Sequence, residues 1–495
     1  MNLTTLLDMA VDGFGDRTVL GGTRDGLSAE GLRKAARHGA AVLMQSGASA
    51  LLYVGANGPA FPVALLAAAV AGVPFVPVNY RLGEEQLGAL LAGHPGALGI
   101  ADERHAPVVG PAVTRLMTPE AWFTKTTATD VPGRPVREPE PESTAVIIYT
   151  SGTTSAPKGV LLRHDNLVSY VIGTVEFAGA GAEEASLLCV PPYHIAAVSN
   201  VLTNLYAGRR LVPLETFSPE CWLNLVRSER VTNAMVVPTV LARLMAAPGA
   251  NRSVPSLRTL AYGGAAMPPR VIERALREWP QVGFVNAYGL TETSSTVSVL
   301  GPDEHRSAFA ATSPAARARL HSAGRPIPGV EVEIRGPDGA ALPAGTSGRI
   351  WVRGAQVSGS YAGQEPASGD SWFDTRDLGH VDDEGFLFVE GREDDTIIRG
   401  AENIAPAEIE DVLLRQPGIA DAVVVGVPDE EWGQRVEAVV TPEPGAELDP
   451  DLLRETVRES LRGSKTPDRI TVWAELPRTD TGKIRRKDVA AQLAR

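Results

Sequence analysis

Along most of the chain, short apolar or β-branched runs alternate with longer stretches whose apolar residues recur at helical spacing. Residues 51–54, 145–148, 187–190 and 234–237 read as buried strands, and residues 62–71, 219–230 and 269–279 as helices. Such alternation predicts α/β layers built on mainly parallel sheets. The most apolar stretch, residues 61–73, contains Pro62 and is too short to span a bilayer, so it predicts a core helix. From about Val330 the texture changes. Val330, Val332 and Ile334 alternate with glutamates, and apolar runs at 349–352 and 386–389 follow between Gly and Pro turns. This predicts a small antiparallel β subdomain. Beyond the charged segment 391–395, helices are expected at 406–414 and 449–461. Strands are expected at 422–427, 436–440 and 469–473. Together they form a separate α+β module. The expected fold class is α/β: a large N-terminal domain of layered α/β sheets plus a small β subdomain, followed by a small α+β C-terminal domain.

Composition narrows the function. A chain of 495 residues with 44% hydrophobic and 21% charged residues suits a soluble globular enzyme with a sizeable core. A net charge of −13 disfavours nucleic acid and anionic membranes as partners. It leaves local phosphate binding open, because loops and helix N-termini bind anions whatever the net charge. Cys189 and Cys221 sit in apolar sequence and read as buried bystanders, not a disulfide or metal pair. With an N-terminus lacking a basic signal region, this leads to the expectation of a cytoplasmic protein.

One loop carries most of the chemical signal. Residues Tyr149 to Gly159 hold six hydroxyl side chains, two glycines and Lys158, directly after the strand at 145–148. Hydroxyls and exposed N–H groups wrap phosphate oxygens, glycine allows close backbone approach, and the lysine adds charge. By itself the stretch also reads as a flexible surface loop. Its spacing does not fit the ordinary P-loop. It resembles the phosphate loop of the adenylate-forming superfamily: acyl-CoA synthetases, peptide-synthetase adenylation domains and luciferases. Ser155 stands where that family usually has glycine.

Further motifs extend the resemblance over nearly the whole chain. Asn286-Ala287-Tyr288-Gly289-Leu290-Thr291-Glu292, expected to end a strand at 282–285, matches the family's Tyr-Gly-x-Thr-Glu motif. Tyr288 offers a ring face to adenine, and Asn286 offers hydrogen bonds to its edge. Thr291 reaches a phosphate, and Glu292 is a hard oxygen ligand for Mg2+ between phosphates. A strand end followed by a capped turn at Thr291 is the competing reading. Tyr262-Gly263-Gly264-Ala265 resembles the glycine pair between acyl pocket and adenine, though Gly-Gly before a Pro-started helix is also a common turn. Asp377 matches the ribose-binding aspartate, with Arg376 in place of the family's glycine; an Asx turn between strands is the competing reading. The run from Gly391 to Glu410 is the longest match: it implies ribose binding by Arg392 and a hinge at Asp394. Near the end, Thr481-Gly482-Lys483 matches the loop of the catalytic lysine, implying that Lys483 stabilises charge as carboxylate attacks the α-phosphate.

The resemblance therefore implies a domain of residues 1–391 with the acyl and ATP sites, a hinge at 392–395 and a small mobile domain of 396–495. It implies ATP/AMP contacts from Thr150, Ser151, Gly152, Thr153, Thr154, Lys158, Gly264, Ala265, Asn286, Ala287, Tyr288, Gly289, Thr291, Asp377 and Arg392. It assigns catalytic roles to Lys483, His194 and Glu292, with Glu292 also the metal ligand.

The acceptor and the acid are read from weaker signals. Pro191-Pro-Tyr-His194 resembles the aromatic/His motif of acyl-CoA synthetases, with His194 bordering the acyl pocket; a core histidine is the alternative. Expected pocket residues are His194, Ala196, Ala197, Val237, Tyr262, Gly263 and Gly289. Gly400, Ala401 and Trp432 resemble CoA-binding positions of relatives, although Ser464 stands where an aromatic residue is common, and Trp432 also reads as packing. Amino-acid-activating relatives hold the substrate amine with an aspartate. Residues 193–200 contain none. The expectation is an AMP-forming acyl-CoA ligase that uses ATP, Mg2+ and coenzyme A on an apolar aromatic or medium-chain acid. A carrier-protein-loading ligase and an enzyme using only preformed acyl-adenylate are the alternatives. Neither nucleic acid nor a membrane span is expected, and a homodimer is left open.

Overall fold

The computed structural model describes residues 1–128, 138–150, 157–364, 371–399, 402–429, 432–461, 463–479 and 482–494. Two sheets form the body of the large domain. The first orders its strands Arg115–Met117, Leu98–Ala101, Leu51–Val54, Phe75–Pro77, Thr144–Thr150 and Lys158–Arg163. All neighbours run parallel except the last pair, whose antiparallel register sets Thr150 opposite Lys158. The second sheet is nine-stranded among the described residues. Its parallel centre comprises Thr259–Gly263, Asn233–Val236, Ala185–Leu188 and Arg210–Pro213. Gly283–Leu290 adds in parallel, Ser295–Leu300 pairs with it antiparallel, and Arg325–Pro326 forms the edge on that side.

Helices Leu3–Phe14, Ala29–Ser46, Ala60–Ala71 and Ile195–Ala207 supply much of the main core. The stretch expected as a core helix is one: every residue from Ala60 to Val70 is buried. All its faces meet protein, so it can be apolar all round, which a surface helix cannot tolerate. A second core gathers Trp222, Trp279, Tyr262 and Phe284 beneath helices Pro219–Ser228 and Pro269–Glu278.

The β subdomain is a four-stranded antiparallel sheet: Val330–Arg335, Gly348–Gly354, Phe373–Val381 and Leu387–Arg392. The C-terminal module carries helix Pro406–Leu414 against strands Ile419–Asp429, Gly433–Pro442 and Arg469–Val472, with its own apolar core.

Two expectations change. The strand expected at 282–285 runs on to Leu290, because Ser295–Leu300 folds back and pairs with it through the Tyr288 motif. Of the cysteines, Cys189 is half-buried but Cys221 is exposed, since it lies on the outer face of an amphipathic helix. No described helix is long and apolar enough to cross a membrane.

Candidate active site

The most tightly built part of the site joins three strands. Asp377 and Arg392 are register partners on neighbouring strands of the β subdomain. The Arg392 Nε lies 3.0 Å from Asp377 Oδ1, and the Tyr288 hydroxyl donates to Asp377 Oδ2 at 2.6 Å. The backbone N–H of Asp377 donates to Thr375 Oγ1, which fixes the turn of the chain there. Asp377 is only 5% exposed. Burial pushes its carboxyl above the usual carboxylate range, against the opposing pull of Arg392 and Tyr288. Burial and then Asp377 hold the Tyr288 phenol well above its ordinary value, so it stays a donor. Each carboxylate oxygen retains a second lone pair, so Asp377 keeps acceptor capacity for a ligand hydroxyl. Asn286 donates to the Ser322 carbonyl at 2.8 Å, which holds the start of the same motif.

A second cluster lies where the two large-domain sheets and the β subdomain meet. The Tyr361 hydroxyl donates to Glu292 Oε1 at 2.9 Å, and the Lys158 Nζ stands 5.8 Å from the centre of the Tyr361 ring. Thr150 Oγ1 reaches the Lys158 carbonyl across the hairpin at 3.4 Å. The Glu292 carbonyl accepts from the Ser358 N–H at 2.8 Å, and Thr291 begins the short turn Thr291–Thr293. Ser151, Gly152, Thr153 and Thr154, expected to wrap phosphate, lie outside the described residues. Tyr361 is the participant that sequence reading missed: no motif marks a tyrosine brought in from beyond the β subdomain's second strand. Among the described residues no group of three or more His, Cys, Asp or Glu could hold a metal by itself. Glu292 supplies one hard carboxylate. That fits Mg2+, which is commonly held by one or two carboxylates and completed by substrate phosphates and water.

The glycines have steric reasons. A Cβ on Gly263 would fall 2.3 Å from the Ala287 carbonyl oxygen. One on Gly289 would fall 1.8 Å from the Ser295 oxygen, where the ladder bulges. Both values lie inside any permitted contact. Gly264, with φ +82°, and Ala265 are exposed, leaving an open backbone edge beside them.

His194 is half-buried at the start of helix Ile195–Ala207, its ring 4.5 Å from that of Tyr193. Its buried Nε2 has no hydrogen-bond partner among the described residues. Burial, then the charge of Arg81, lowers its pKa to about 4, so it is neutral at pH 7. An orphaned ring nitrogen on a neutral imidazole is a polar group waiting for a ligand atom. Ala196 is half-buried in the first turn of this helix, and Val237 is half-buried at the cap of helix Pro238–Ala246, whereas Ala197 is fully buried in the main core. Tyr262 is a correction. Its side chain is fully buried in the second core, and its hydroxyl lies 2.7 Å from His305 Nε2. Strand alternation turns it to the helix side, so its ring does not line the pocket.

Lys483 comes to the first cluster from the C-terminal module. Its side chain keeps solvent access, yet the surrounding protein and then Arg392 lower its pKa, while Asp377 and Asp395 oppose that shift. Arg486 nearby engages Glu410 and the Val424 carbonyl, and approaches Asp395 at 3.6 Å. Asp394 is exposed in the turn Glu393–Asp395 that separates the β subdomain from the module. Trp432 is 46% exposed, with the Arg399 guanidinium 5.6 Å from its ring. Gly400 and Ala401 lie outside the described residues. Arg243 sits on the surface over the Phe217 ring at 4.9 Å.

Residues 7–362 match the family model of the AMP-binding enzyme, and residues 408–483 match that of the AMP-binding enzyme C-terminal domain. A feruloyl-CoA synthase of Amycolatopsis sp is 35% identical over 444 residues, covering 88% of this chain and 87% of that protein. An indoleacetate–CoA ligase of Aromatoleum aromaticum is 33% identical over 465 residues, covering 90% and 89%. The solved o-succinylbenzoate CoA synthetase (MenE) of Bacillus subtilis, in complex with its acyl-adenylate intermediate, superposes with a TM-score of 0.83 at 26% identity. It covers 98% of this chain and 97% of that one. The chain belongs to the AMP-binding enzyme family, as an AMP-forming ligase of the acyl-CoA synthetase type.

Proposed function

We propose that this enzyme joins an aryl or arylalkyl carboxylic acid, or a comparably bulky apolar acid, to coenzyme A in two steps on one site. In the first, a carboxylate oxygen bonds to the α-phosphorus of ATP and the bond to pyrophosphate breaks. In the second, the thiol sulfur of CoA bonds to the acyl carbon, AMP leaves, and the thiol proton passes to solvent. The observation that carries this reading is the built cluster on Asp377, with Arg392 Nε at 3.0 Å and the Tyr288 hydroxyl at 2.6 Å, within electrostatic reach of Lys483. It sets a cation of one module near a buried carboxylate and its half-exposed arginine partner on the other. Charge that develops at a phosphate is best stabilised by a donor already in place.

The remaining residues take roles that fit their surroundings. Asp377 and Arg392 hold the ribose, and the Tyr288 ring supplies a wall to the adenine. Lys158 and the hydroxyl side chains of residues 150–154 would serve the leaving phosphates, and Glu292 would hold Mg2+, which supplies further charge neutralisation when bound. His194, neutral with a free buried nitrogen, donates to or orients the substrate carboxylate. No acidic residue lies between Tyr193 and Asn200, which supports an acid without an α-amino group. The feruloyl and indoleacetate names of the two relatives support an aromatic body. Gly400, Ala401 and Trp432 would meet CoA after the small domain, residues 396–495, turns about Asp394. Free Cys189 and Cys221 support a reducing, cytoplasmic setting.

The test is pyrophosphate release and thioester formation measured in parallel with ATP, Mg2+, CoA and a panel of hydroxycinnamic, indolic, benzoic and medium-chain acids. Both products from an aryl acid are expected. Pyrophosphate with acyl transfer only to a carrier protein would overturn the acceptor. Thioester only from supplied acyl-adenylate would overturn the first step.

A further inference from the structure

Among the described residues, the loop that carries Lys483 meets the large domain where Gly482 faces Thr239. The backbone N–H of Gly482 donates to the Thr479 carbonyl, and that of Thr479 to the Lys483 carbonyl. The Lys483 N–H donates to Thr479 Oγ1 at 3.1 Å. Gly482 has φ +81°, and its bare Cα faces Thr239. A Cβ there would stand 2.3 Å from Thr239 Oγ1, 2.6 Å from its Cγ2 and 2.9 Å from its Cβ. The fit therefore uses the missing side chain twice, for the backbone conformation and for the approach. Thr239 lies in the first turn of helix Pro238–Ala246, whose cap is Val237. Its partner is the residue next to the lysine, so a shift of the contact becomes a shift of the ammonium group.

We propose that Thr239 is a positioning residue for the first half-reaction: it is the seat on which the Gly482 turn lands when Lys483 is brought to the adenylate site. Among the described residues, the ion pair and hydrogen bond that join the module to helix Pro269–Glu278 lie at a more open rim. Arg270 approaches Glu443 at 3.4 Å and donates to the Arg415 carbonyl at 3.1 Å. Long exposed side chains of that kind hold two bodies together without fixing their register to a fraction of an ångström. The Thr239–Gly482 contact is short, partly shielded and without slack. Under the domain rotation proposed above, Lys483 leaves this place for the second half-reaction, so the seat matters to one step only.

The inference rests on the two-step reading, and its experiment separates the two. The wild-type chain, Thr239→Leu, Thr239→Ala, Gly482→Ala and the double variant Thr239→Ala/Gly482→Ala are assayed for two reactions. One is acid-dependent pyrophosphate release without CoA. The other is thioester formation from supplied acyl-adenylate and CoA. Thr239→Leu, which fills the landing space, is expected to slow pyrophosphate release on the order of 100-fold, the scale for misplacing a reacting group by about 1 Å. Its KM for ATP and its thioester formation stay within about twofold of wild type, which also shows that it folds. Gly482→Ala is expected to slow the same step, and the double variant to recover part of that loss. A Thr239→Leu variant equally fast in pyrophosphate release, or slowed equally in both reactions, overturns the seat. So do Gly482→Ala and Thr239→Ala effects that simply multiply, since contacting residues couple. A wild-type chain that releases no pyrophosphate with any acid overturns the functional reading instead.

Discussion

Asp377 and Arg392 stand opposite each other on adjacent antiparallel strands, and their side chains close on themselves at 3.0 Å with Tyr288 on the second carboxylate oxygen. The carboxylate is 8% exposed and the guanidinium 36%. Removing the arginine leaves a nearly buried acid with one neutral donor. Breaking a buried pair from one side costs about 3–5 kcal/mol, and the half-open arginine brings the expected figure to about 2 kcal/mol. Arg392→Gln should therefore lower the urea midpoint and raise KM for ATP by on the order of tenfold or more. Tyr288→Phe, which removes a single neutral donor, should cost about 1 kcal/mol. Denaturation curves and ATP titrations check the order, and equal effects of the two changes would contradict it.

Arg376, beside that pair, has φ +58° in an exposed position. A side chain in the left-handed region costs roughly 1 kcal/mol that glycine does not bear. Arg376→Gly is expected to stabilise the chain by about 0.5–1 kcal/mol, and Arg376→Val to destabilise it. Thermal melts without ligand read this directly, and a lower melting temperature for the glycine variant would show that the arginine makes contacts worth more than its backbone strain.

These residues also show what the sequence made legible. Asp377, Arg392, Glu292 and Lys483 sit in motifs whose spacing is set by local backbone, such as a strand end or a tight turn, and local backbone leaves a mark in neighbouring residues. Tyr361 left none. It reaches Glu292 because residue 361 bridges to Val160 on a strand two hundred positions earlier, a pairing that only the fold defines. Tyr262 misled for a related reason. Strand alternation, not motif membership, decides which face a ring occupies. The strand boundary at Val285 failed because the partner Ser295–Leu300 extends it, and a partner strand is not visible in the extended one. The helix Pro406–Leu414 and the strand Leu51–Val54 were legible to the residue because Pro at a helix start and a bounded apolar run are local signals.

His305 is buried with two partners. Its Nδ1 lies 2.8 Å from the Gly301 carbonyl, which accepts only, so Nδ1 carries the proton and Nε2 accepts from the Tyr262 hydroxyl at 2.7 Å. Burial lowers its pKa to about 4, and His164 is likewise lowered to about 4 by burial. The unfolded histidine titrates near 6.5. Between these values the unfolded chain binds protons that the folded chain refuses, so stability falls as pH drops from about 6.5 toward 4 and is flat above. Each buried histidine contributes on the order of 2–3 kcal/mol to that loss. Urea midpoints taken from pH 7.5 to 4.5 should slope down, and His305→Gln should flatten part of the slope. A midpoint independent of pH across this window would contradict the neutral burial of both rings.

Lys483 stands among charged neighbours of both signs. Its surroundings and Arg392 hold its pKa below the ordinary lysine value of 10.5, with Asp377 and Asp395 resisting. The cation is the working form, because a neutral amine offers no full charge to a crowded phosphate. Pyrophosphate release should therefore fall as pH rises through the lowered pKa, giving an alkaline limb below 10.5. The CoA thiol also titrates in the alkaline range, so the measurement omits CoA and follows a single turnover with saturating acid and ATP. Lys483→Met should slow this step by about 10²–10³-fold, the scale for removing one preorganised donor of charge stabilisation. Thioester formation from supplied acyl-adenylate should change little, because that reaction breaks no phosphoanhydride. Lys483→Arg keeps the charge at every accessible pH, so whatever rate it retains should lose the alkaline limb. An unchanged limb in the arginine variant would assign the titration to another group, and equal loss of both reactions in Lys483→Met would remove the lysine from the first step alone.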